Sequence, residues 1–156
     1  MKKIKIPLLA LLLALGGPVS AQPRPTAPAA VVPVPRSEEK AVLAALAPRI
    51  KADLGLAAPV KAEWMNKVGD WLYFHGRLQP APGQSGFDYS KTNRAALQGH
   101  ISDAVMALLQ KDKDGVWQVR ELVIGPGDMA SEAWPPKYEL PKQLVQAPAE
   151  AEPKSE

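Results

Sequence analysis

The hydrophobic period of this chain changes once, and that change limits the folds open to it. Val42, Leu43, Leu46, Ile50 and Leu54 recur at helical spacing, which places one apolar stripe along a helix. From Val60 the period falls to two: Val60, Ala62, Trp64 and Val68 share one side of a strand, and Trp71–Leu78 (WLYFHGRL) returns after Gly69-Asp70. A short glycine-bearing connection between two alternating runs signals a hairpin. The helix can bury its stripe only against the apolar face of that sheet, so an α+β domain is expected.

Local signals fill in the rest. Ser37 is the expected N-cap of the helix, Glu38 and Glu39 put negative charge in its first turn, and Gly55 stops it. Pro48 lies inside the pattern and predicts a kink or two short helices. After the hairpin, Gln79–Asn93 reads as a loop, and Thr92–His100 allows a short helix. Val105–Gln110 is a third strand, KDKDG (Lys111–Gly115) its turn, and Val116–Ile124 a fourth. GPGD (Gly125–Asp128) then ends the sheet, and Asp128 is placed to cap a brief helix through Ala133. The closing AWPPKYELPKQL (Ala133–Leu144) is too proline-broken for sheet or helix and is expected to wrap an edge or mouth through Trp134, Tyr138, Leu140 and Leu144. The expected fold is an N-terminal helix packed on a four-stranded antiparallel sheet, with an irregular aromatic C-terminal strip.

Residues 1–21 carry Lys2, Lys3 and Lys5, an apolar run over Leu8–Leu15, and Val19-Ser20-Ala21, the order of a secretory signal peptide. The run is about half the length needed to span a bilayer. Cleavage after Ala21 is therefore expected to release a periplasmic or secreted protein with no stable membrane insertion. Removing the three leader lysines leaves 16 basic residues against 16 acidic ones. A neutral chain lacks the basic field that nucleic-acid binding requires, so nucleic acid is not expected as a partner. The absence of cysteine rules out disulfides, thiolate chemistry and a cysteine-linked lipid. Residues 22–36, with five spaced prolines, read as a semi-rigid tether; residues 37–145 form one domain; residues 146–156 are expected to be disordered.

Candidate chemistry is sparse. His75 and His100 are the only histidines and have no H-x-H or H-x-x-x-H spacing. A metal would need Asp88, Asp103 or Glu121 brought beside His75, and no cofactor is expected. No G-x-S-x-G occurs, and GPGD lacks the lysine of a phosphate loop. The aromatics say more. Trp64 and Trp117 fall within strand patterns and are expected in the core. Trp71, Tyr73, His75 and Arg77 face away from Leu72, Phe74 and Leu78 on the return strand, and Phe87 and Tyr89 lie in the loop. With Trp134 they form an aromatic surface for a protein or an apolar, envelope-derived ligand, His75 and Arg77 adding polar selection. A homodimer through that same face is the competing use. Two other readings stand beside this one: a pocket enzyme using His75, Tyr73 and Asp88 or Asp103, and a purely structural envelope factor.

The order of these elements resembles the cystatin-like or NTF2-like helix-on-sheet plan. The ending VWQVRELVIGPGDMASEAWPPKYELP (Val116–Pro141) is also similar to that of small uncharacterised exported bacterial proteins, through Ile124, Gly125 and Asp128 and the Trp134–Tyr138 pair. The resemblance implies an exported helix-on-sheet domain; none of the catalytic spacings of NTF2-like enzymes is matched in this chain.

Overall fold

Five strands hydrogen-bond in chain order to form one antiparallel meander: β1 (Val32–Pro33), β2 (Val60–Val68), β3 (Trp71–Leu78), β4 (Ala104–Lys111) and β5 (Trp117–Ile124). The computed structural model describes residues 30–126 and 130–148. The leader, most of the tether, the Asp128 cap and residues 149–156 lie outside them. Helix α1 (Arg36–Leu54) and the short helix α2 (Trp134–Lys137) complete the fold. Among the described residues no helix is long and apolar enough to cross a membrane.

The sheet has five strands where four were expected, because Val32–Pro33 of the supposed tether pairs with Lys67 and Asn66. Val34 N–H adds a bond to the Met65 carbonyl. Helix α1 begins at Arg36, directly after Pro35, so Ser37 lies within the first turn and is not its cap. The helix runs unbroken through Pro48. Pro48 sits on the exposed side, while Val42, Leu46, Ile50 and Leu54 anchor the helix to the sheet on both sides of it; this burial outweighs the one backbone bond that proline removes. Gly55 ends the helix in the left-handed conformation (φ 79°), its N–H donating to Lys51 O.

At the β2–β3 hairpin, Val68 pairs with Trp71 across Gly69-Asp70. Only Gly69 of that pair has positive φ, as a II′ turn requires. Further back along β2 the register slips between Ala62 and Trp64, leaving Glu63 as an extra residue. An inserted residue inverts the alternation of side chains. The expected single-sided set is accordingly split. Val60 and Ala62 pack on the helix side with Met65, whereas Trp64 and Val68 lie on the opposite side.

Both sheet faces are covered. On one, α1 closes over Leu72, Phe74, Leu78, Val105, Ala107, Leu109, Trp117 and Ile124. On the other, Tyr73, Met106 and Leu108 are sealed by Trp134 and Leu144 of the C-terminal strip, joined by Tyr138 and Leu140. The strip holds more regular structure than expected: α2, then a 3-10 turn over Lys142–Val145. It covers a sheet face in place of an edge or mouth. Asn66 fixes its end by donating from Nδ2 to the Leu144 and Gln146 carbonyls at 3.1 and 2.8 Å.

Candidate functional site

The seven residues singled out in the sequence do not converge. Phe87 and Tyr89 pack edge to face on the α1 side of the sheet (centroids 5.0 Å apart), opposite Trp71, Tyr73, His75 and Trp134. Their loop is docked and not free. Asn93 N–H donates to Leu54 O, Arg94 pairs with Asp53 and donates to Ile124 O, and the buried Tyr89 hydroxyl donates to Ser102 O at 2.7 Å. Burial pushes the Tyr89 phenol up to about 12. The segment after it forms two 3-10 turns, Tyr89–Lys91 and Ala95–Leu97, in place of the expected helix.

On the second face the aromatics form a row that is largely internal. Trp64 stacks on His75 at 5.2 Å and contacts Tyr73 at 5.0 Å; Tyr73 meets Trp134, and Trp71 meets Tyr138. Tyr73 is 1% exposed and Trp134 6%. The Tyr73 hydroxyl donates to Ser131 Oγ at 3.2 Å, and its pKa is raised by burial. Tyr138 donates to Glu121, which also accepts from Lys137. Most of the aromatic area expected to meet a partner is therefore already used to hold the strip. Trp117 is in the core as expected, on the α1 side.

What remains open is the end of the sheet near Glu63. Glu63 Oε1 accepts from Arg77 Nε at 2.6 Å, and Arg77 also reaches Asp103 at 2.9 Å. His75 Nδ1 lies 3.0 Å from Glu63 Oε2, but off the N–H direction, so it has close charge without an aligned hydrogen bond. Burial lowers the His75 pKa below its ordinary 6.5; the Glu63 carboxylate opposes this and Arg77 reinforces it. A base whose folded pKa is depressed leaves the unfolded chain holding more protons, so stability falls as pH drops below 6.5 toward the folded value. NMR titration of His75 should give a midpoint under 6.5, and Glu63→Gln should move it lower still. A midpoint at or above 6.5 would contradict the burial argument.

Beside this cluster is an open depression of about 910 Å³ lined by Arg36, Lys61, Glu63, Trp64, Arg77 and Ala147, among others. A second, of about 300 Å³, shares Arg36, Lys61, Glu63 and Trp64 and extends to Val34 and Met65. The two flank the outer edge of β2. Sequence reading passed over Glu63, Lys61 and Arg36, since isolated charges on an alternating strand look like a solvated face.

The groups weighed for a pocket enzyme each have another partner, Tyr73 among them through Ser131. His75 contacts Glu63, whereas Asp103 serves Arg77 and Asp88 accepts from the Ser90 N–H in the loop. Ser37 and Lys40 have S-x-x-K spacing, but both are exposed on the first turn of α1 with no hydrogen bond joining them. Among the described residues no three metal-ligating side chains are gathered. Comparison with protein-family models, curated proteins and solved structures gives no match.

Proposed function

We propose that this is an exported, non-enzymatic recognition domain that takes up an extended segment of protein along the open edge of β2. The observation that carries this reading is the edge itself. β1 pairs with Lys67 and Asn66 and Val34 reaches Met65, but Val60–Glu63 has no strand on its outer side among the described residues. Unpaired edges accept extended chains by strand addition, main-chain bonds giving affinity and neighbouring side chains selection. Trp64, Arg36 and Lys61 supply that selection. The opposite edge, β5, is bulged as well, at Arg120, and carries exposed Gln118 and Arg120; what favours β2 is the pair of depressions that flank its outer edge. Export rests on the leader, and the cystatin-like or NTF2-like relation on the resemblance in plan.

Panning a random peptide library on the mature protein tests the proposal. NMR mapping of the selected peptides should perturb the amides of Val60–Trp64 and leave those of Trp71 and Tyr138 unmoved. Peptides that map to the aromatic strip or to β5 would overturn it.

A further inference from the structure

We infer that the segment taken up along β2 is acidic, with carboxylates at alternate positions of an extended protein chain; this rests on the edge reading above and names the chemical class of its partner. Lys61 pairs with Arg77 and Trp64 with His75, and Arg77 and His75 are alternate residues of β3, so Lys61 and Trp64 share one sheet face with Arg77. All three line the larger depression. Glu63, the inserted residue, adds no free negative charge there: Arg77 neutralises it at 2.6 Å and reaches Asp103 as well. The cations left over are Arg36 and Lys61. Both are exposed, both line the two depressions, and neither has an ion-pair partner among the described residues.

The fold does not account for these two charges. Arg36 opens α1, where the helix dipole disfavours a cation, whereas Lys67 and Lys111 of the sheet meet Glu38. A lysine on an edge strand ordinarily guards against pairing. Here Lys61 is joined by a cation from a separate element, and the two converge on one opening. Glu39 lines the smaller depression with Val34 and Met65 and is absent from the larger one. The two sides of an added strand would therefore meet different surroundings: cations beside Trp64 on one, a carboxylate and apolar groups on the other. Side chains of an extended chain alternate between those sides. The unpaired stretch Val60–Glu63 accepts about 13 Å of such a chain, which turns about two side chains to the cationic side, one carboxylate for each free cation. Uncharged residues at the intervening positions avoid Glu39.

The test titrates short blocked peptides, in which threonine alternates with glutamate, glutamine or lysine, into the mature protein and follows the amide shifts. The glutamate peptide should bind about fivefold more tightly than the glutamine peptide at low ionic strength, the lysine peptide more weakly than either, and the glutamate advantage should shrink as salt is added. The shifts should fall at Val60–Trp64. Lys61→Glu, at an exposed position, should reverse the order, and Arg36→Gln should reduce the glutamate advantage. Tighter binding of all three peptides by Lys61→Gln would mark Lys61 as a guard and overturn the inference. Equal binding of the glutamate and glutamine peptides at Val60–Trp64 would overturn it and leave the edge reading standing. No shift at Val60–Trp64 with any peptide would overturn both.

Discussion

Replacing Trp134 by alanine is expected to lower the unfolding free energy by about 3–5 kcal/mol, the cost typical of removing a large buried aromatic. Trp134 closes the second sheet face with Tyr73 beneath it and Leu144 in the same cluster. Its removal leaves a cavity over a tyrosine whose hydroxyl donates to Ser131 in the adjoining turn. Urea denaturation, with Trp71→Ala as the comparison, measures the effect. Trp71 is only half-buried and should cost distinctly less. A loss below about 1 kcal/mol for Trp134→Ala, against that expected scale, would show that the strip is not structural and would return the aromatic face to recognition.

Gly76→Ala is expected to be nearly as damaging, at about 3 kcal/mol. A Cβ at this position would collide with the Lys61 carbonyl oxygen and stand 2.7 Å from the Phe74 ring. The first is backbone of the adjoining strand and the second is a fully buried side chain, so neither yields cheaply. The substitution also falls between His75 and Arg77 and beside the Glu63 bulge. Alongside lost stability, the amides of Lys61–Trp64 should shift. A stable variant with an unmoved β2 would refute the close-contact account.

Much of this fold could be read from the chain because its helix and strands follow clear hydrophobic periods. The stripe Val42–Leu54 and the alternation Leu72, Phe74, Leu78 each named one buried surface correctly. The failures share a cause: they depend on contacts between distant residues. Nothing in Lys61-Ala62-Glu63 marks an inserted residue, yet that residue moves Trp64 to the other face and assembles Glu63 with His75 and Arg77. The loop looked free because Phe87 and Tyr89 were surrounded by glycine and proline, whereas Asn93 and Arg94 dock it onto the end of α1. Trp134, Tyr138 and Leu144 were legible as anchors, but their target was not. Local pattern shows that a residue wants burial; only tertiary pairing decides against what.

Asn66 joins chain segments far apart in sequence: its backbone pairs with Pro33 of β1, and its side chain grips the carbonyls of Leu144 and Gln146. Domains are made from the N-terminus onward, and here a segment made after every strand of the sheet provides the cover for one whole face. Until Trp134 and Leu144 have both been synthesised, Tyr73, Met106 and Leu108 lack their full cover. Every strand of the sheet thus precedes in the chain the segment that seals its second face, so that face stays uncovered until the strip has been made.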